Sequence, residues 1–175
     1  TLNTHTHACT VVAHKNHERT SRTFVIGIDE VGRGSLFGLM TVGAVILDNG
    51  LTGEFGRVDL TGTPIALIND SKKLSERKRN LVFDPIKQTC QSYAIIDIPT
   101  YVIDAIDIYQ ATLLGMRLAI EHLIVLNNVG KNDNLIIVID GNAAPTLSDE
   151  FGDFQRCIHT LIKGYSIHPS IACAS

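Results

Sequence analysis

The chain has 175 residues, of which 45% are hydrophobic and 19% are charged, with a mean hydropathy of +0.16. These values are typical of a single globular domain and exclude an intrinsically disordered chain. No apolar run approaches the ~20 residues that a membrane-spanning helix needs, so we expect no membrane partner. The net charge of −3 does not indicate a generally basic surface, so any nucleic acid must bind at a local patch.

Residues 1–23 are polar and carry four histidines: His5, His7, His14 and His17. Their spacing matches no standard ligand pattern, so we predict a flexible or irregular N-terminal arm, with a specific metal site as the alternative. The segment has no initiator methionine and no secretory signal layout, which indicates a fragment or a processed product. The four cysteines are scattered, which predicts reduced thiols in a cytoplasmic protein: Cys9, Cys90, Cys157 and Cys173.

Residues 24–34 begin as an apolar run that is typical of a buried strand and then contain two adjacent carboxylates, Asp29 and Glu30. In a regular strand these side chains point to opposite faces, so a shared site requires twist or a bulge. A buried carboxylate is costly unless it is paired, hydrogen-bonded or bound to metal, which favours a functional role. The alternative is an edge strand whose carboxylates are solvated.

The next elements are a strand, a connection and a helix. Residues 41–47 form a second apolar run and are predicted to pair with the first strand as a hairpin. The glycine-rich segment 48–69 predicts a long connection. Helical spacing of apolar residues predicts a helix over 74–91, with Ser71 as its cap, and Pro85 should kink or split it.

The second half of the chain alternates between strands and helices. Strands are predicted at 93–98, 135–139 and 157–162, the clearest helix at 111–126, and a last helix from Pro169. This order predicts an α/β domain with a mixed sheet. The strand at 135–139 runs into Asp140, for which the alternative is an ordinary turn residue, because Asp-Gly is a common turn dipeptide.

Three carboxylates are therefore candidate site residues at the ends of apolar strands: Asp29, Glu30 and Asp140. Carboxylates from neighbouring strands can converge on divalent cations, because Mg²⁺ and Mn²⁺ favour oxygen ligands. Two such ions about 4 Å apart can activate a water and stabilise the leaving oxygen of a phosphodiester. Residues 72–79 carry five basic residues against one acid and are a candidate phosphate-binding patch, with a solvated helix face as the alternative.

Five stretches in a fixed order, from about residue 24 to the last residue, carry a resemblance to a known family. They are Asp29-Glu30-Val31-Gly32-Arg33-Gly34, Asp70-Ser71-Lys72-Lys73-Leu74-Ser75, Ala111-Thr112-Leu113-Leu114-Gly115-Met116, Ile139-Asp140-Gly141-Asn142, and Lys163-Gly164 with Ile171-Ala172-Cys173-Ala174-Ser175. Together they resemble type 2 ribonuclease H (ribonuclease HII). The resemblance implies a ribonuclease H-like fold, a mixed five-stranded sheet flanked by helices, with residues 24–175 as the catalytic domain and its C-terminal part missing.

The resemblance also implies a function. It implies an endonuclease that hydrolyses the RNA strand of RNA–DNA hybrids and cuts duplex DNA at embedded ribonucleotides, leaving 3′-hydroxyl and 5′-phosphate ends. The implied cofactor is Mg²⁺ or Mn²⁺, held by the catalytic residues Asp29, Glu30 and Asp140. The implied substrate-binding residues are Gly32, Arg33 and Gly34, which read the ribose 2′-hydroxyl, and Lys72 and Lys73, which contact phosphates. We expect a monomer in the cytoplasm.

One departure from the family bears on activity. Family members use a fourth carboxylate, an aspartate about ten residues beyond the segment that matches residues 171–175, and the sequence stops at Ser175. With three of four acids, we expect the second metal ion to bind weakly. The alternative is therefore a cleavage-silent relative that binds RNA–DNA hybrids without a complete metal site.

Overall fold

The computed structural model describes residues 21–31, 39–47, 62, 68, 75–164 and 169–175. Within these ranges the strands are Thr23–Val31 (β1), Met40–Leu47 (β2), Cys90–Ile98 (β3), Asn134–Asp140 (β4) and Ile158–Leu161 (β5). The α-helices are Glu76–Thr89 (α1), Thr100–Ile106 (α2), Ile108–Leu126 (α3) and Pro169–Ala174 (α4), and a 3₁₀ helix covers Asp149–Cys157. The predicted arm up to residue 20, nearly all of the 48–69 connection and the Ser71 cap lie outside the described residues.

β1 lies at the centre of a five-stranded sheet with the order β3-β2-β1-β4-β5. It pairs antiparallel with β2, which in turn pairs antiparallel with β3. On its other side it pairs parallel with β4, which pairs parallel with β5. The predicted mixed sheet and the pairing of the first two strands are therefore confirmed. No helix in the described part of the chain is long and apolar enough to cross a membrane.

The apolar run of β1 is buried because helices cover both faces of the sheet. Phe24, Ile26 and Ile28 are at most 1% exposed and belong to the main core cluster, which includes the buried side chains of α3. Val25 points to the opposite face, where it packs with Ile171 of α4. Burying a side chain of this size contributes about 1.5–3 kcal/mol. A run without polar alternation can therefore occupy the centre of the sheet.

Two glycines allow α4 to lie directly on the sheet. A Cβ at Gly27 of β1 would lie 2.2 Å from the backbone carbonyl carbon of Ser170, and a Cβ at Gly43 of β2 would lie 2.2 Å from the backbone oxygen of Ala174. Real Cβ atoms essentially never approach other heavy atoms below 3.0 Å. Because the obstructing atoms belong to the backbone, no larger residue fits at these positions without moving α4.

The beginning of β1 is tied to the α3–β4 connection by a hydrogen-bonded ion pair. Asp133 Oδ2 accepts hydrogen bonds from Arg22 Nη2 at 2.8 Å and from the Gly130 backbone N–H at 2.9 Å. Its Oδ1 accepts from the Arg22 backbone N–H at 3.1 Å and from Arg22 Nε at 3.4 Å. The Asp133 side chain is 4% exposed. The Arg22 side chain holds the pKa of Asp133 well below its usual range, and the Gly130 amide adds to this effect.

Three local features differ from the sequence predictions. Pro85 was predicted to kink or split its helix; the helix is not split, since α1 continues through Pro85 to Thr89. The local cost of proline, about 3 kcal/mol, is offset because Val82 and Ile86 pack against the core on that side of the sheet. The helix α2 and the 3₁₀ helix were not predicted; both are short, and neither has any fully buried residue.

The described cysteines are free thiols, as predicted: Cys90, Cys157 and Cys173. Cys9 lies outside the described residues. Burial, with a smaller contribution from the neighbouring Cys90, raises the pKa of the Cys173 thiol to about 12. Burial likewise raises the pKa values of Cys90 and Cys157. None of these thiols is activated as a nucleophile.

Candidate active site

Two of the predicted site residues come together because β1 and β4 are parallel neighbours. The register pairs Ile28 with Ile139, and the next residues are Asp29, within β1, and Asp140, the last residue of β4. Adjacent strands lie about 4.8 Å apart, so the two aspartates are lateral neighbours near the carboxyl ends of these strands. The sheet topology therefore brings together two acids that are far apart in the sequence.

Asp29 is the most buried of the predicted acids, at 3% exposed. Its Oδ1 accepts a hydrogen bond from the backbone N–H of Glu30 at 2.8 Å. By strand alternation it shares a face with Gly27, the face on which α4 lies. A carboxylate in such a place is costly unless it is well bonded, which marks Asp29 as a residue held for its chemistry.

Glu30 is half-buried, and strand alternation assigns it to the face opposite Asp29. It lines a cavity of about 40 Å³ together with Asp140, Asn142, Tyr109 and Thr112. The pairing of β1 with β2 is regular through this region, so no bulge brings Asp29 and Glu30 to one face. The small cavity instead joins Glu30 to Asp140 at the end of the strands.

Asp140 is the last residue of β4, and a backbone amide just beyond the neighbouring strand β5 holds its carboxylate. Its Oδ1 accepts a hydrogen bond from the Gly164 backbone N–H at 2.7 Å, just beyond β5. The following Gly141 has a φ of +111°, which favours glycine, and its N–H donates to the Leu161 carbonyl at 2.9 Å. The chain thus turns at Gly141, while Asp140 itself remains in the strand and lines the cavity.

A groove of about 600 Å³ lies on the α4 face of the sheet, between α1 and α4. Asp29 and Glu30 contribute to its lining, as do two basic side chains of α1, Arg79 and Lys87. Most of the remaining lining is apolar, from α1, α4 and the central strands. The basic side chains place positive charge along a surface that reaches the acidic residues.

The five predicted substrate-binding residues lie outside the described residues: Gly32, Arg33, Gly34, Lys72 and Lys73. In the ranges that the structure does describe, no group of three or more histidine, cysteine, aspartate or glutamate side chains is arranged to hold a metal ion. The roles of Asp29, Glu30 and Asp140 as metal ligands therefore stay predictions.

Tyr109 and Thr112 are not among the predicted site residues, although both line the cavity with Glu30 and Asp140. The turn that carries them is capped by Asp107, which has a φ of +69° and accepts hydrogen bonds from two backbone N–H groups of α3. A capping aspartate is a recognisable signal for the start of a helix. It predicts where the helix starts, but not which cavity the helix faces.

Comparison with known proteins gives consistent matches. Residues 26–175 match the family model described as Ribonuclease HII. A protein named Ribonuclease HII from Psychrobacter sp. (strain PRwf-1) is 38% identical over 181 residues, covering 87% of this chain and 60% of that protein. The crystal structure of Bst-RNase HIII in complex with Mn²⁺ matches with a TM-score of 0.63 and 21% identity, covering 88% of this chain and 50% of that one. Ribonuclease H2 from Pyrococcus horikoshii OT3 matches with a TM-score of 0.58 and 18% identity, covering 86% and 68%.

These matches bear on the fold and on the extent of the chain. The structural likeness confirms the predicted ribonuclease H-like arrangement of a mixed sheet with flanking helices. The chain spans about 60% of the length of the similar proteins from Psychrobacter.

Proposed function

The chain belongs to the ribonuclease HII family, and from this we propose that the whole protein is an endoribonuclease. It hydrolyses the RNA strand of RNA–DNA hybrids and cuts duplex DNA at embedded ribonucleotides, leaving 3′-hydroxyl and 5′-phosphate ends. One observation carries the proposal: Asp29 and Asp140 are lateral neighbours on two parallel strands, and Glu30 lines one cavity with Asp140.

The three candidate acids carry the type of ligand atom that binds divalent cations. Asp29, Glu30 and Asp140 offer only carboxylate oxygens, the ligands that Mg²⁺ and Mn²⁺ prefer, and they would hold these ions. When bound, two such ions supply an activated water and stabilise the leaving oxygen of the phosphodiester. Binding also relieves the cost of burying the Asp29 carboxylate, which is 3% exposed.

The protein's own contribution is orientation. The Glu30 amide fixes one oxygen of Asp29, and the Gly164 amide fixes one oxygen of Asp140. Carboxylates held in this way need no reorganisation when the substrate binds, which lowers the entropic cost of the reaction.

For substrate binding, we carry over the roles that the family motif implies. Gly32, Arg33 and Gly34 read the ribose 2′-hydroxyl, because a contact with that group distinguishes RNA from DNA. Lys72 and Lys73 contact phosphates. Arg79 and Lys87, which line the groove beside Asp29, supply further positive charge for a nucleic-acid backbone.

The first test is cleavage of duplex DNA with one embedded ribonucleotide, with Mg²⁺ and then Mn²⁺. We expect the 175-residue chain to cut on the 5′ side of the ribonucleotide. Asp29→Asn and Asp140→Asn should each slow the reaction by more than ~100-fold. Replacing even a residue that only hydrogen-bonds to a metal ligand typically lowers metal affinity or activity about 10- to 100-fold, and a ligand itself should matter more. Asp104→Asn on the exposed surface of α2 is the matched control and should leave the rate unchanged. Full activity of Asp29→Asn would reject its role as a ligand, and cleavage in a chelator would reject a metal mechanism.

A second candidate is a cleavage-silent protein that binds RNA–DNA hybrids. One observation favours it: within the described residues, no three acids are arranged to hold a metal ion. The same experiment separates the two functions. Preferential binding to the ribonucleotide-containing duplex, without cleavage in either metal, would support the second candidate.

We also propose that the protein is a monomer in the cytoplasm. All the candidate acids come from one chain, so the site does not need a second copy. The free thiols of Cys90, Cys157 and Cys173 suit a reducing compartment. Light scattering across a range of protein concentrations tests the monomer, because a mass that rises with concentration would contradict it.

A further inference from the structure

We propose that Tyr109 is a positioning residue whose aromatic ring packs against the nucleotide beside the cleaved phosphate. The inference rests on the nuclease function proposed above and extends it to the substrate contact. Tyr109 lies on the first turn of α3, in neither of the acidic motifs, yet it lines the same cavity as Glu30 and Asp140. The residue is 45% exposed, so part of it is accessible to solvent.

The size of the cavity decides what can enter it. At about 40 Å³ it has room for about three water-sized groups, since one water needs ~10–15 Å³ by the same measure. Phosphate oxygens or waters fit this space, but a sugar or a base does not. A nucleotide whose phosphate reaches Glu30 and Asp140 must therefore keep its sugar and base outside, where the exposed ring of Tyr109 is available.

The ring is presented from a rigid part of the fold. Asp107 Oδ1 accepts hydrogen bonds from the backbone N–H groups of Tyr109 at 2.7 Å and Gln110 at 2.9 Å. One turn later, Thr112 is 3% exposed, and its hydroxyl donates to the Ile108 carbonyl at 2.7 Å. A side chain on a capped helix whose next turn is buried is held in place better than one on a loop.

The chemistry of the site favours an aromatic contact. Glu30 and Asp140 are acidic and repel an anionic strand by themselves, so attraction that does not depend on charge is useful there. A base stacked on an aromatic side chain gains about 5- to 150-fold in affinity, whatever its identity. Tyr109 supplies such a ring next to the two acids.

The test compares Tyr109→Ala, Tyr109→Leu and Tyr109→Phe with the unchanged chain. Tyr101→Ala is the matched control, because Tyr101 is a 73% exposed tyrosine on the neighbouring α2 and lines neither the groove nor the small cavity. We expect the alanine and leucine variants to lower kcat/KM for the ribonucleotide-containing duplex about 5- to 150-fold, mainly by raising KM. The phenylalanine variant should stay within about 2-fold of the unchanged chain, since it keeps the ring.

A second readout separates stacking from a structural or electrostatic role. Hybrid affinity is measured by fluorescence anisotropy in a chelator at several salt concentrations. The alanine variant should bind more weakly at every concentration, with the same slope of log affinity against log salt, because no phosphate contact is lost. Its melting temperature should match that of Tyr109→Phe. A changed slope, or a loss that follows the melting temperature, would overturn the proposal.

The outcomes for the two proposals are distinguishable. If the unchanged chain binds hybrids but cleaves nothing, the nuclease function fails, and the anisotropy comparison still decides the role of Tyr109. Equal binding and cleavage by Tyr109→Ala and the unchanged chain would overturn the positioning role alone. A phenylalanine variant as impaired as the alanine variant would assign the effect to the hydroxyl and overturn ring packing. A chain that neither binds nor cleaves would overturn both proposals.

Discussion

Replacing Asp133 by asparagine keeps the shape of a buried side chain but removes one of its two acceptor oxygens. Each carboxylate oxygen accepts two hydrogen bonds, from Arg22 and, for Oδ2, also from the Gly130 amide. Whichever way the amide is oriented, its NH₂ group faces two donors that have lost their acceptor. The substitution therefore removes two of the four hydrogen bonds that link the start of β1 to the α3–β4 connection.

The magnitude follows from those contacts. A hydrogen bond to a charged group contributes about 1.5–3 kcal/mol, and two of four are lost. One bond on Oδ1 is long, at 3.4 Å, and the Arg22 side chain is 35% exposed, so water partly replaces the lost acceptor. We expect a decrease in the free energy of unfolding of about 2–3 kcal/mol. For a domain of this size, that decrease lowers the melting temperature by about 4–12 °C.

The dependence on pH gives an independent check. Arg22 lowers the pKa of Asp133 in the folded state, so the unfolded state takes up this proton first as the pH falls. The stabilisation is fully present above the ordinary carboxyl pKa of about 4 and is lost as the pH falls through the lower folded value. The difference between the unchanged chain and Asp133→Asn should therefore be constant near neutral pH and shrink below about pH 4.

The assay is urea unfolding followed by far-ultraviolet circular dichroism, because the chain has no tryptophan. Asp153→Asn is the matched control, since Asp153 pairs with Lys131 at the surface, where the two side chains are 60% and 81% exposed. Little change is expected for that variant. If Asp133→Asn were as stable as Asp153→Asn, or if its deficit grew in acid, the reasoning about this ion pair would be refuted.

Two further predictions concern α4. Gly27→Ala should destabilise the protein by about 3 kcal/mol or more, because the new Cβ would lie 2.2 Å from the backbone of Ser170. Gly152→Ala is the control and should be tolerated, because no atom lies within 4 Å of a Cβ at that position. Equal stabilities of the two variants in urea would contradict the contact with Ser170. Cys173, whose pKa is raised to about 12 by burial, should react with a thiol reagent at pH 8 far more slowly than Cys90 and become reactive in urea. Mass spectrometry of labelled peptides measures this, and fast labelling of native Cys173 would show that it is not buried.

The central strands β1, β2 and β4 could be predicted from the sequence because their apolar runs are largely buried. The run at 24–28 and the run at 135–139 became β1 and β4, and the acids that follow them became neighbours. The 3₁₀ helix Asp149–Cys157 could not be predicted in the same way. It is linked to the preceding segment by Gln155, which accepts from the Leu147 amide and donates to the Pro145 carbonyl, and such contacts leave no periodic signal.

The candidate site also contains residues that the sequence predicts and residues that it does not. Asp29, Glu30 and Asp140 carry a local signal, because an acid at the end of an apolar run is unusual. Tyr109 carries none, because an aromatic residue on the first turn of a helix is ordinary and its neighbours come from β1 and β4. Only the tertiary structure shows which cavity it lines.

The parallel pairing of β1 with β4 has a consequence for how the protein is made. The residue that pairs with the start of β1 is synthesised 111 residues later, whereas β2 follows almost at once. At 5–20 residues per second, β1 leaves the ribosome on the order of ten seconds before its second partner exists. During that interval the central strand of the sheet has one open edge, which is a template for association with other chains. The acids assemble only when β4 closes that edge, so slow synthesis should favour aggregation of the nascent chain and make it dependent on chaperones.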